Sequence, residues 1–463
     1  AIVAARRRAA AVAGKARLQT AGRSPQLTRT STSKALRSDG GVQQVATTAT
    51  ASKSQFPTRI QQTFAELRDP RSIKLGLYKL KDALLDAGFA QQFVAADGLR
   101  VLRDIVLSEH GSALAYALDC LRSAWRFHRP DVHGPLSPDL LVHVMAQFDA
   151  QSAAVAKSAL DTILALNQRD KDLFLATFVN YAKQRRETPC ANLVRVLRHN
   201  EVDVQTKALT LTNNVLSAAA TAADRDAIYD ALASESLYEH LPKLRASQDP
   251  IVRTQLCAFQ LARLAAVSAR KRTPYDKANP AHEARLLRLW ELTFPDEPLT
   301  ARVSSQWGKL GFQGTDPATD FRGMGMLGLE CLIYFAEAYT ERWRRLVVQN
   351  VARGAREYPF AVAGINTCHV IDQRFGFDSP ASGAAGTDGV LHPLLLNHAR
   401  PFEELCALML QMIDRLWDDM NASYMDFPKV LDAAKARFAD AVAHYATFDA
   451  WKRAFDAKRR PHR

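Results

Sequence analysis

From Pro57 to about Arg270 apolar residues recur at three- and four-residue spacing, the pattern of amphipathic helices following one another. Val101, Leu102, Ile105 and Val106 make one apolar face. Leu114, Leu118, Leu121 and Trp125 make another, and Leu173, Phe174, Phe178 and Tyr181 a third. Gly98, Gly111, the Gly134-Pro135 pair and Pro250 punctuate the run. Helical signal returns over 284–294, 327–348, 359–374 and 402–420, the last carrying Leu405, Leu408, Met412 and Leu416 on one side. A Gly/Ser/Asp-rich loop fills 375–393. No stretch alternates with period two between turn pairs, so the expectation is an all-α chain.

Three segments in the first region resemble one another: VAKSAL from Val155, VQTKAL from Val204 and VRTQLC from Val252. Each follows a polar turn and runs into an apolar helix, and the valines lie 204 − 155 = 49 and 252 − 204 = 48 residues apart. That interval is close to the period of armadillo and HEAT repeats, in which each unit buries its apolar face only against its neighbours. The bland alternative is coincidence among Ala/Leu-rich helices. The pattern favours an armadillo/HEAT-like α-solenoid over 56–270, a linker at 271–283, a second helical domain over 284–440, and a basic helical tail at 441–463.

The formal charge of +13 suggests a nucleic-acid partner until its distribution is read. Residues 1–60 hold eleven Lys or Arg and one acid, Asp39, leaving only +3 for the rest of the chain. The basicity therefore belongs to an appended segment, 1–55, rich in Ala, Arg, Ser and Thr and without a sustained hydrophobic period. Such a composition reads as a disordered arm. The same composition also fits an organelle transit peptide, or a basic arm that orders against an acidic partner surface such as a polymer. No apolar run reaches the roughly 18 residues of a membrane span, which excludes an integral membrane segment. A cytoplasmic location, in contact with membrane or cytoskeleton, is the expectation.

The six cysteines (Cys120, Cys190, Cys257, Cys331, Cys368 and Cys406) lie far apart without a CxxC pair. They read as buried free thiols in a reducing compartment, with no metal site, because structural zinc needs paired Cys/His spacing. The histidines show no HExxH or other ligand spacing, and His369 beside Cys368 reads as helix packing. Arg342, Arg344 and Arg345 around Trp343 read as a solvated helix face, or as a surface meeting an acidic protein or anionic lipid.

Residues 323–328 spell GMGMLG, a match to GxGxxG. That fingerprint cradles a dinucleotide only between a strand and a helix, and here a polar turn, 316–320, precedes it. No cofactor is expected. The glycines read instead as a helix entry, with Thr319 or Asp320 as cap. Arg322 fits that scheme poorly, because a cation in a helix's first turn opposes the macrodipole by about 0.3–1 kcal/mol. Either a salt bridge to Asp316 or Asp320 offsets the cost, or the arginine is presented to an anionic partner.

The residues around this loop carry a resemblance. Trp307, Gly311-Phe312-Gln313-Gly314, Asp316-Pro317, Thr319-Asp320-Phe321-Arg322-Gly323 and Gly325-x-Leu327-Gly328-Leu329 resemble the signature of the ELMO-domain family. So do Tyr358-Pro359-Phe360-Ala361, Gly364-Ile365-Asn366 and Tyr424-Met-Asp-Phe427, and the likeness runs from about 284 to 440. The armadillo-like half resembles the region preceding this domain in engulfment-and-cell-motility proteins, most clearly over 75–102.

The resemblance implies a helical regulator of small GTPases, in one of two branches. One acts as a GTPase-activating protein for Arf- and Arl-type GTPases. There the arginine of DFRG carries the activity, and it falls on Arg322. Trp307, Phe312, Gln313, Asp316, Asp320, Phe321, Gly323 and Gly325 would then form the partner-binding surface. The other branch is a non-catalytic scaffold for a Dock-type exchange factor that promotes Rac activation. This sequence pairs the armadillo half of the scaffolds with the DFRG loop of the activators. Residues 441–463 are too few for a pleckstrin-homology domain, and no PxxP tail is visible, which counts against Dock binding unless the chain is truncated. A third reading is a structural component of a cytoskeletal assembly.

Overall fold

The computed structural model describes residues 46–127, 136–188, 190–377 and 391–457, with side chains from Pro57 onward. Every regular element among them is a helix. They divide into two compact units at Glu235/Ser236.

The first unit is a series of α-helices: α1 (Ala46–Arg68), α2 (Ile73–Ala83), α3 (Ala87–Ala95), α4 (Gly98–Ser108), α5 (Gly111–Trp125), α6 (Pro138–Met145), α7 (Ala153–Arg169), α8 (Lys171–Arg185), α9 (Ala191–Val196), α10 (Val202–Ser217) and α11 (Ala222–Ser234). Helix α1 begins inside the segment read as an arm, and 1–45 lie outside the described residues. Polar turn residues start several helices. Asp86, Ser137, Asp170 and Thr221 each accept a hydrogen bond from the backbone N–H three residues on, worth about 1 kcal/mol apiece. The three apolar faces are buried as their spacing predicts, with Val101 and Leu173 half-exposed at the edges.

Val155, Val204 and Val252 each stand third in their helix and are buried, so the repeat marks one structural position. Helices α7 and α10 pack against each other. Two ion pairs span them in the same register, Lys157–Asp203 at 2.5 Å and Asp161–Lys207 at 2.7 Å. Burial opposes the Asp203 charge, but Lys157 and Lys207 outweigh it and hold its carboxyl below the usual range.

The second unit holds α12 (Leu237–Arg245), α13 (Pro250–Arg272), α14 (Pro280–Thr293), α15 (Gly325–Ala338), α16 (Thr340–Ala352), α17 (Phe360–Phe375), α18 (Pro393–Leu396), α19 (Pro401–Asp419), α20 (Phe427–His444) and α21 (Phe448–Ala457). Residues 378–390, most of the expected glycine-rich loop, lie outside the described residues. The single helix expected over 327–348 is two, because Tyr339 leaves the helical region (φ −135°, ψ 46°). Its hydroxyl donates to the buried Glu404, which also accepts from Tyr334 and Lys452.

Helices α15, α17 and α19 pack against one another at the centre. A Cβ at Gly364 would lie 2.4 Å from Leu332 Cδ2 and 3.3 Å from Leu410 Cδ2, so the bare glycine sets their close approach. The segment read as a C-terminal tail is part of this core through Phe448 and Trp451, and 458–463 lie outside the described residues. Among the described residues no helix is long and apolar enough to cross a membrane.

Candidate functional site

Between α14 and α15 the chain makes no α-helix, yet it is firmly anchored. Two short 3-10 helices, Ser305–Leu310 and Pro317–Arg322, are capped by Ser304 and Asp316. A row of aromatic rings runs beneath them. Trp290 meets Trp307 at 5.3 Å, Trp307 meets Phe312 at 5.8 Å, Phe312 meets Phe321 at 5.7 Å, and Phe321 meets Tyr275 at 5.2 Å. Each such contact adds about 0.5–1.5 kcal/mol beyond simple burial. Trp307 is wholly buried, and its indole N–H donates to the Arg302 carbonyl.

Two glycines fasten the ends. Gly311 has φ +83°, and a Cβ there would lie 2.1 Å from the Phe360 nitrogen, where α17 begins. Gly325 has φ +50°, and its Cβ would strike the carbonyls of Thr273 and Lys271 at 2.3 and 2.4 Å. The Thr273 carbonyl accepts from Met326 N–H at 2.9 Å, so the end of α13 caps the start of α15.

That contact corrects one expectation. Neither Thr319 nor Asp320 caps the long helix: the Thr319 hydroxyl donates to the Asp316 carbonyl, and Asp320 accepts from Gln313 N–H.

The charged side chains around the loop are hydrogen-bonded within the fold, with Arg322 as the contrast. Asp316 accepts from Arg302 at 3.0 Å, from Lys277 at 2.9 Å and from Ala318 N–H at 3.0 Å. Burial works against its charge, but these donors outweigh it and hold the carboxyl below the usual range. Arg302 also donates to Glu283, which accepts from Tyr275. Burial, with a smaller contribution from nearby Asp316, pushes Asp320 up. Lys277, Tyr275 and Glu283 come from 271–283, so that stretch is packed support for the loop and not a free linker.

Arg322 is the exception. It is exposed and makes no ion pair or hydrogen bond among the described residues; both aspartates proposed to hold it are engaged elsewhere. It also ends the second 3-10 helix, three residues before α15 starts, where a cation suits the local dipole. The expected conflict with the macrodipole is therefore absent. The arginine is neither strained nor tethered.

Of the other residues predicted for the partner surface, Gln313 and Gly323 are exposed. Trp307, Phe312, Phe321 and Gly325 are buried and act from below, which corrects their placement on that surface. Asp316 and Asp320 are half-buried clamps. A Cβ at Gly323 would meet nothing within 4 Å.

Elsewhere, Arg342 pairs with Asp456 and Gln411, and Arg344 donates to the Leu292 carbonyl, leaving Arg345 as the exposed member of that cluster. His369 is exposed beside Gln373. All six cysteines are buried and free, but Cys331, Cys368 and Cys406 converge, which their spacing did not suggest.

Residues 265–431 match the model of the ELMO/CED-12 family, and 88–244 match the ELMO armadillo-like helical domain. The chain belongs to the ELMO family, with an armadillo-like region ahead of its ELMO domain. It is 31% identical over 404 residues to ELMO domain-containing protein A of Dictyostelium discoideum, covering 78% of this chain and 41% of that protein. It is 45% identical over 126 residues to ELMO domain-containing protein B of the same organism, covering 27% of this chain and 42% of that protein. With mouse ELMO domain-containing protein 2 the identity is 49% over 96 residues, 21% of this chain and 32% of that protein. The chain thus spans less than half the length of each of these relatives.

Proposed function

We propose that this chain regulates small GTPases, and that it acts as a GTPase-activating protein for an Arf- or Arl-type GTPase with Arg322 supplied in trans. The observation that carries the reading is the contrast around Arg322. Every neighbouring charge named above is bonded inside the fold, while this guanidinium is exposed and unpaired on an anchored loop. An arginine inserted at a transferring phosphoryl group stabilises its developing charge and is worth roughly 10³–10⁵ in rate. Anchoring by Gly311 and the aromatic row keeps the ordering cost of such insertion low.

Phosphate release from GTP-loaded Arf and Arl proteins, with and without the full chain, tests this. The expected result is acceleration that Arg322→Ala abolishes and Arg322→Lys restores only in small part. No acceleration of any of them, or equal acceleration by Arg322→Ala, would overturn it.

A second reading rests on the armadillo-like match over 88–244: a scaffold for a Dock-type exchange factor and Rac activation. Co-expression with Dock-type proteins and pull-down tests it, and recovery of none counts against it.

A further inference from the structure

Cys331, Cys368 and Cys406 come from three different helices, α15, α17 and α19. Their sulfurs all lie within 4.8 Å of one another, with Cys368 and Cys406 at 3.5 Å. All three are buried, at 3%, 1% and 5% exposure, so water does not compete for the site. The geometry follows from the helix crossing at Gly364. Leu332, Gly364 and Leu410 form one layer of that crossing. Cys331 precedes Leu332, Cys368 lies one turn after Gly364, and Cys406 one turn before Leu410. The bare glycine that draws the helices together thereby brings the three thiols into one adjacent layer.

We propose that these three cysteines bind a single thiophilic d10 metal ion, Cu(I) in preference to Zn(II), and that the ion staples the three central helices. Soft thiolates select such ions. A trigonal ion with metal–sulfur bonds of about 2.3 Å spreads its sulfurs about 4 Å apart, between the 3.5 Å of Cys368–Cys406 and the 4.8 Å limit on the whole group. Structural Zn(II) takes four donors, whereas among the described residues this group holds three sulfurs. The Thr367 hydroxyl, beside Cys368 and Cys406, donates to the Gly364 carbonyl at 2.6 Å and is a hard oxygen that thiophilic ions disfavour. Binding releases one proton from each thiol and involves no change of oxidation state, so affinity rises with pH. The site is independent of the Arg322 loop.

The test uses the full chain, purified and kept reduced, titrated with Cu(I) against bathocuproine disulfonate. The expected result is one Cu(I) retained per chain, a three-sulfur shell by X-ray absorption, and a raised melting temperature. Cys368→Ala and Cys406→Ser should lose the ion, while Cys257→Ala, at a buried cysteine outside the cluster, should keep it. Circular dichroism of each metal-free variant establishes that it is folded. No retained Cu(I), retention unchanged in folded Cys368→Ala, or displacement of Cu(I) by equimolar Zn(II) would each overturn the assignment.

Discussion

The α7–α10 pair and the Arg322 loop solve different problems with the same kinds of residue. In the helix pair, Lys157, Asp161, Asp203 and Lys207 satisfy one another across two repeats, and the charges serve stacking. In the loop, Arg302, Lys277, Asp316 and Glu283 also close on themselves, but they leave one arginine out. A repeat can be built wholly from neighbour contacts. A presented cation needs irregular backbone, and irregular backbone needs glycines and buried rings to hold it.

The comparison breaks most directly at the rings. Trp307→Ala should cost about 3–5 kcal/mol in urea unfolding, because it empties a fully buried site under the loop. Five of the six tryptophans lie in the second unit, so fluorescence reports that loss well.

Acid should separate the units next. His392 is lowered to about 4 by burial first and then by Arg374 and Arg245. The unfolded chain therefore binds its proton first, and stability present above about pH 6.5 is lost as pH falls toward 4, by about 3 kcal/mol. Melting temperature against pH should show that decline, and His392→Gln should flatten it.

Gly325→Ala should cost roughly 2 kcal/mol, since it meets both a positive φ and two backbone carbonyls. Gly323→Ala, with open space and an ordinary φ, should leave the melting temperature unchanged. A double-mutant cycle on Lys157 and Asp203 should give only about 0.5 kcal/mol, because both side chains are over two-fifths exposed. Arg322→Ala should also be small, within about 0.5 kcal/mol. A large loss there would mean that the side chain is structural after all.

Periodicity alone located most helices and the buried faces, because a 3.6-residue repeat is a local property of the chain. The Val155, Val204 and Val252 register was legible for the same reason. The division of 327–348 at Tyr339 was not, since the hydroxyl that occupies the break bonds to Glu404, sixty-five residues away. Nor was the role of 271–283: its charges and prolines look like a linker until Lys277 and Tyr275 meet Asp316 and Phe321.

By itself, then, the sequence determined an all-helical chain, a repeat running from Val155 to Cys257, and the motif in which Arg322 sits. Only the tertiary structure decided what surrounds them. It placed Trp307, Phe312 and Phe321 under the loop, engaged Asp316 and Asp320 so that Arg322 stands free, and gathered Cys331, Cys368 and Cys406 at the Gly364 crossing. Those outcomes depend on which side chains long-range packing brings within a few ångströms, and spacing along the chain carries no record of that.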